Sequence, residues 1–440
     1  MNDPRHYLDN EKMSRLQITV VAITIMLNAI DGFDVLSISF AAPGIANEWG
    51  IPRASLGVVM AMELIGMAIG SFFLGGVADK FGRRPTVLGC LITMSAGMFL
   101  VTTATSAIQL SVWRIMVGLG IGGILSCVNA VVAEFSNIQR RGMCISLMVI
   151  GYPLGGTFGG MIASHLLQAH DWRAIFYFGA AVTGILVPVV YFLVPESVHW
   201  LVNKRPKGAL EKINAGLARM KFPAIEKLPE RQETERKKPL SSIFSRSIFP
   251  VTLILTMAYF LHITTFYFIL KWSPKVVADM GFSPALAGGV LVWASMGGAL
   301  GGAAFGWLTT RISLKKLTVL IMVLTSVFVS VFGRTGADLS QIKLLAAFAG
   351  FFANAGISGL YSLLAVAFPT DVRATGTGFV IGVGRAGAVL SPILAGVFLQ
   401  FGAKLPSVAL AMSLGSLLAA LLIFFPKTLS ANHEAAGKTV

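Results

Sequence analysis

The chain predicts an all-α integral membrane protein, with twelve transmembrane helices in two pseudo-symmetric six-helix bundles. Three observations predict it. Hydrophobic residues fill 55% of the 440 positions and charged residues only 12%, against roughly 25% charged in a soluble domain. The apolar residues gather into runs that recur almost to the last residue, each near the ~20 residues that a helix needs to cross about 30 Å of hydrocarbon. Short polar motifs also recur in the same order in the two halves.

Residues 1–16 are polar and mixed in charge and read as a tail. The apolar run that follows is too long for the core of a cleavable signal peptide, so it is read as an uncleaved first span. Spans fall near 17–42, 55–78, 85–105, 108–132, 143–167 and 173–195, then 248–270, 284–309, 315–333, 341–366, 374–399 and 405–426. The first six form a bundle over 17–195 and the last six a bundle over 248–427, with 428–440 as a second tail. Between the bundles, 196–247 is rich in Lys, Arg, Glu and Pro, and such a composition is expected to be a mobile or partly helical linker without a core of its own. The 47 glycines, many paired or spaced by three within the spans, let helix backbones approach closely in lipid.

The placement of the net charge of +15 sets orientation. One set of loops holds Arg5, Lys12, Arg15, Lys80, Arg83, Arg84, Arg140, Arg141, Arg311, Lys315, Lys316, Arg373, Lys427, Lys438 and every basic residue of 196–247. The opposite set holds Arg53, Arg173, Lys275, Arg334, Lys343 and Lys404. Basic loops stay in the cytoplasm, which puts both termini there, in the inner (cytoplasmic) membrane of a cell. No basic stripe is interleaved with aromatics, so nucleic acid is not an expected partner. Cys90, Cys127 and Cys144 lie in apolar runs and suit neither a disulfide framework nor a metal site. The run Gly151-Tyr-Pro-Leu-Gly-Gly lacks the Lys-Ser/Thr of a phosphate loop. With no nucleophile triad, paired soluble carboxylates or cofactor motif, an enzyme reading has nothing to rest on.

The halves align at a nearly constant offset. Gly75-Gly-Val-Ala-Asp79-Lys-Phe-Gly82-Arg83-Arg84 follows span two, and Gly306-Trp-Leu-Thr-Thr310-Arg311-Ile-Ser313-Leu-Lys-Lys follows span eight. A second pair, Glu134-Phe135 through Arg140 and Phe368 through Arg373, follows spans four and ten. The first loop, together with Arg114-Ile-Met-Val-Gly118, the Pro195-Glu196-Ser197 exit of span six and Phe368-Pro-Thr-Asp371-Val-Arg373, resembles the major facilitator superfamily. Asp31-Gly32-Phe33-Asp34 and Phe266-Tyr-Phe-Ile-Leu-Lys271-Trp272 are similar to its aromatic acid:proton symporters. The second-half loop departs from the signature, with Thr310 in place of the acid and Ser313 in place of a glycine. The resemblance implies that Gly75, Asp79, Gly82, Arg83, Arg84 and Glu134 form a cytoplasmic gating latch, remade as the halves rock.

Ionisable residues at bilayer depth are costly and mark ion or substrate paths. Asp31 and Asp34, three apart on one helix, are candidates to load a proton outside and release it inside; otherwise they cap a helix broken at Gly32 or pair with Arg114. Arg114 is either their counter-charge or a residue snorkelling to water, and Glu63 either pairs with a cation or joins the proton path. Lys271, among Phe266, Tyr267, Phe268 and Trp272, is placed to meet the carboxylate of an aromatic acid, or else belongs to an interfacial belt. Arg385, deep in span eleven, suits bidentate carboxylate binding. His262 falls opposite Asp31 in the repeat, and Tyr152, Asn129, Asn354 and Tyr361 are candidate polar contacts to substrate.

The reading is a secondary carrier, expected to act as a monomer without cofactor or metal and driven by the proton gradient. The resemblance implies uptake of an aromatic carboxylate such as a benzoate or a lignin-derived acid. A carrier of sugars or non-aromatic anions, an exporter, and a non-transporting receptor are the alternatives.

Overall fold

The computed structural model describes residues 3–229, 240–246, 248–369 and 372–425. The charged stretch 230–239 of the linker, Thr370 and Asp371 of the second repeated loop, and the tail 428–440 lie outside the described residues. Among the described residues, sixteen α-helices run in order: α1 Pro4–Asn10, α2 Arg15–Trp49, α3 Arg53–Phe81, α4 Arg83–Thr102, α5 Ala107–Glu134, α6 Arg141–Ala169, α7 Arg173–Leu193, α8 Val198–Lys204, α9 Ala209–Met220, α10 Phe249–Asp279, α11 Pro284–Leu308, α12 Leu314–Phe332, α13 Leu339–Ala367, α14 Arg373–Gly384, α15 Ala386–Gln400 and α16 Leu405–Phe424. Among the described residues, twelve helical stretches are long and apolar enough to cross a membrane, the eleventh running from Thr375 through α15. Large apolar side chains such as Phe72, Ile108, Ile185 and Phe401 lie on the surface, as they must where the solvent is hydrocarbon.

Several helices run beyond the apolar windows read from the sequence. The first spans 35 residues rather than the 17–42 window, and α10 continues to Asp279. Backbone hydrogen bonding does not stop at the lipid boundary, so polar turns extend a helix into the headgroup zone. Lys271 is therefore not at the end of its helix but about 12 Å of helix inside it, and it is fully buried beside Trp272. A snorkelling, interfacial Lys271 is ruled out by that burial.

Contacts gather the chain into two units. The first holds Met1–Ser37, Met62–Gly159 and Arg173–Thr234; the second holds Ile38–Ala61, Gly160–Trp172 and Glu235–Val440. Within the first, α4 packs on α5 and α7; within the second, α11 packs on α13, α12 on α13 and α16, and α10 on α15 and α16. The second unit thus includes the distal end of α2, the start of α3 and the end of α6. There, Arg53 pairs with Asp279 at 3.0 Å, and Gly57 lies so close to the Pro392 backbone that a Cβ would overlap its carbonyl oxygen. Trp272 Nε1 donates to that same carbonyl at 3.1 Å.

The linker and the N-terminal tail correct the expectation of a segment without a core. Leu8 of α1, Trp200, Leu201 and Val202 of α8, and Ile213, Leu217 and Met220 of α9 form one buried cluster, with Tyr7, Leu16 and Phe222 packed against it. The apolar positions of α9 recur at helical spacing on one face. Neither segment carries enough apolar surface alone; the tail and the loop supply each other's missing half. Ser197 caps α8 by accepting from the Trp200 N–H at 3.2 Å. Asp9 pairs with Arg141 at 2.5 Å, and its carbonyl accepts from Ile138 N–H at 2.9 Å, tying α1 to the loop before α6.

Truncating the centre of this cluster tests it. Leu217→Ala is expected to cost about 2–5 kcal/mol locally. Amide exchange should accelerate across 198–220 and residues 4–10 while protection in α2–α7 is unchanged; unchanged exchange in α8 and α9 would contradict the packing.

Candidate functional site

The middle of α2 is held against α6 by small residues and a clamp. A Cβ on Gly32 would overlap the Tyr152 carbonyl oxygen, and Asn28 Nδ2 donates to the Met148 carbonyl at 2.7 Å. Gly32 is thus a close-approach residue, and the helix passes through it unbroken; the helix-cap reading of its neighbouring aspartates fails. Asp31 and Asp34 are both fully buried, and among the described residues none of their four carboxyl oxygens has a hydrogen-bond partner.

Arg114 on α5 supplies the local cation but does not pair with either aspartate side chain. It is fully buried and ion-paired to the equally buried Glu63 of α3. Its Nη2 donates to the backbone carbonyl of Asp34 at 3.1 Å and its Nη1 to Ser37 Oγ at 3.1 Å. The Phe176 ring lies 5.5 Å from its guanidinium carbon. Burial without a path to water excludes snorkelling. Of the predicted proton-coupling residues, the structure therefore assembles Asp31, Asp34, Glu63 and Arg114 around one point, with Glu63 rather than an aspartate neutralising the arginine. Ser37, one turn beyond Asp34, was not singled out; its i, i+3 spacing from Asp34 was the available signal.

A second cluster sits where α3 meets α4. Arg83 pairs with Asp79 at 2.6 Å and reaches Glu134 at 3.5 Å. Gly82 has φ 114°, a conformation that L side chains rarely adopt, and a Cβ there would strike the Glu196 carboxyl. Glu196 accepts from the backbone N–H of Arg83 at 2.9 Å, Arg84 at 3.4 Å and Ser197 at 2.9 Å. Burial pushes its carboxyl above the ordinary range, opposed by those three backbone donors. Arg84 turns away, donating to the Tyr191 carbonyl with its guanidinium 5.0 Å over the ring. Gly75 is loosely packed, with ordinary contact distances to Ser126 for an added Cβ. Glu196 is thus the hub missing from the predicted latch, although the Pro-Glu-Ser exit had marked it.

In the second unit, Arg385 stands at the junction of α14 and α15, partly exposed. Its polar neighbours include the phenols of Tyr259, Tyr361 and Tyr267. Tyr259 and Tyr361 approach at 3.3 Å through their hydroxyls; the former is buried and the latter 41% exposed. Sequence reasoning found Arg385 and Tyr361 and named Tyr267 only as an aromatic around Lys271; it did not find Tyr259, and only the packing of α10 brings both alongside Arg385.

The remaining candidates are held otherwise. His262 is buried with Nδ1 2.9 Å from Ser416 Oγ and Nε2 2.9 Å from the Ala353 carbonyl. The carbonyl requires a donor, so Nε2 carries the hydrogen and Nδ1 accepts; both ring nitrogens are occupied by protein. Phe266 is buried in edge-to-face contact with Tyr267 at 5.4 Å, and Trp272 is sealed against Pro392. Asn354 donates to the Gly298 carbonyl at 2.7 Å, and Asn129 to Leu125 of its own helix at 3.2 Å. Tyr152 meets α2 through its backbone.

Comparison with known proteins gives the following. A family model described as Major Facilitator Superfamily matches residues 24–330 and 272–439. The gallate transporter of Pseudomonas putida is 27% identical over 424 residues, covering 96% of this chain and 94% of that protein. The 4-hydroxybenzoate transporter PcaK of Pseudomonas putida is 29% identical over 422 residues, covering 95% and 94%. The 3-(3-hydroxy-phenyl)propionate transporter of Escherichia coli (strain K12) is 28% identical over 417 residues, covering 93% and 94%. The crystal structure of a D-xylose-proton symporter shares the fold, with a TM-score of 0.70 at 17% identity, covering 93% of this chain and 98% of that one.

The Glu63–Arg114 pair makes a sharp mutational prediction. Arg114→Gln strands a buried glutamate and is expected to cost about 3–5 kcal/mol. Combining it with Glu63→Gln should recover a large part of that loss, read as thermal stability in detergent. Additive losses in the double variant would break the pairing.

Proposed function

Because this chain belongs to the major facilitator superfamily, we propose that it is a secondary carrier taking up an aromatic carboxylate together with protons. The observation that carries the substrate class is Arg385. A guanidinium at bilayer depth, partly exposed and neighboured by phenols, has no acidic partner among the described residues, and the carboxylate of a substrate supplies one. The phenols add hydrogen-bond donors and aromatic faces for a ring. Relatives along nearly the full chain carry the names of gallate, 4-hydroxybenzoate and 3-(3-hydroxy-phenyl)propionate transporters, which supports the same class.

Proton coupling fits because an anion entering a negative-inside cell moves against about 2.3 kcal/mol per 100 mV. Asp31 and Asp34 are the groups proposed to carry the charge that offsets this. The positive bias of one set of loops supports an inner-membrane protein with both termini in the cytoplasm, working as a monomer without a cofactor. In that orientation Arg53, Gly57 and Asp279 lie at the outer surface, and their packing is a closed outer gate. The Asp79–Arg83–Glu134–Glu196 cluster is the cytoplasmic latch, and residues 17–195 and 248–427 are the two rocking bundles.

Reconstitution in liposomes tests the reading. With an inward proton gradient, labelled hydroxybenzoates should accumulate and a protonophore should abolish the accumulation. Arg385→Ala, which removes a charged hydrogen-bonding partner worth roughly 1.5–3 kcal/mol, is expected to raise KM about 10- to 150-fold. Gradient-driven uptake of sugars or dicarboxylates, with no aromatic acid transported, would overturn the substrate class.

A further inference from the structure

We infer that the carrier moves two protons with each substrate anion, one on Asp31 and one on Asp34, and is therefore electrogenic. The inference rests on the symport reading above and adds its stoichiometry.

The argument is a count of charges in a sealed place. Asp31 and Asp34 are 0% exposed, so no water-sized space touches either. Among the described residues, the charged and titratable groups near them are Glu63 on α3, Cys90 on α4 and Arg114 on α5, with the Tyr152 backbone of α6 against Gly32 and Gly179 of α7 beside Asp34. Arg114 brings one positive charge and Glu63, paired to it, one negative charge. That pair is already neutral. An ionised aspartate added to it would be a buried, uncompensated charge, which costs several kcal/mol. Two would cost more, since they would also repel each other and Glu63. In this closed arrangement both aspartates are therefore held as neutral acids.

The remaining alternative is a carboxyl pair that shares one proton across a short hydrogen bond and keeps one negative charge between them. Here that is excluded by geometry. A shared proton needs one carboxyl oxygen within hydrogen-bond distance of the other, and among the described residues none of the four oxygens has a hydrogen-bond partner. The Asp34 backbone carbonyl, rather than its carboxylate, is what Arg114 holds, so the cation does not substitute for a proton there either. Each aspartate carries its own.

In the transport cycle each carboxylate gains one proton when its path opens outward and gives it up when its path opens to the cytoplasm. Two protons and one monovalent anion leave a net charge of +1 moved inward per cycle. Membrane potential alone then drives accumulation, which a one-proton symporter of a monoanion cannot do.

Proteoliposomes with labelled 4-hydroxybenzoate separate the cases. At equal pH, a potassium diffusion potential of about 59 mV, inside negative, should give about tenfold accumulation at steady state. With the potential clamped at zero, one pH unit should give about 100-fold. Accumulation indifferent to potential and about tenfold per pH unit means one proton and overturns the inference while leaving the symport reading intact. Absence of accumulation under either gradient overturns both. Asp31→Asn or Asp34→Asn, where transport survives, should drop to about tenfold per pH unit and lose its response to potential. A variant that keeps the 100-fold ratio removes that aspartate as a carrier and overturns the assignment.

Discussion

Arg114 and Glu63 are buried at bilayer depth, where neither could stand alone, and much of the first unit is arranged around keeping them together. The mutual attraction has to offset the desolvation of both ions, and that succeeds only when the other donors of the guanidinium are also used. Two of them are used on α2, by the Asp34 carbonyl and the Ser37 hydroxyl, while Nε has no hydrogen-bond partner among the described residues. One arginine thereby ties α5 to α2 and α3 at a single depth. It also spends its positive charge on Glu63, which leaves the aspartates of α2 free to change charge without a fixed cation holding them ionised.

The two units divide the chemistry. In the first, acids and a neutralised arginine make a place where protons can be held or released. In the second, Arg385 carries a charge that no pH in a cell removes, with phenols as its neighbours and no acidic partner among the described residues. A group that titrates and a group that does not are suited to different cargo, the one to protons and the other to an anion.

How much of this was legible in the sequence depended on range. The twelve spans could be read because an apolar run long enough to cross lipid is a local signal, and an aspartate inside such a run is conspicuous on its own. Glycine 82 and its loop were visible as a motif, but the reason for the glycine, the carboxyl of Glu196, lies more than a hundred positions away. The partner of Arg114 was open for the same reason: Asp31, Asp34 and Glu63 were all plausible by composition, and only packing chooses. Tyr259 was an ordinary span aromatic, and Tyr267 was read only with Lys271, until α10 brought both beside Arg385. The cytoplasmic cluster was missed because each of its parts, read alone, is too polar to fold, and the sum of two distant segments is not a property of either.

That cluster has a topological consequence. Leu8 and Leu217 share one small core, so the segment before α2 and the segment after α7 must emerge on the same face of the bilayer. The chain between them has therefore crossed an even number of times, whichever face that is. A first half inserted with a span skipped or one too many would leave α1 stranded across the membrane from α8 and α9, with its apolar side uncovered. Closure of this core is a parity check on insertion, available to the protein as soon as α9 has been synthesised and before any helix of the second half exists.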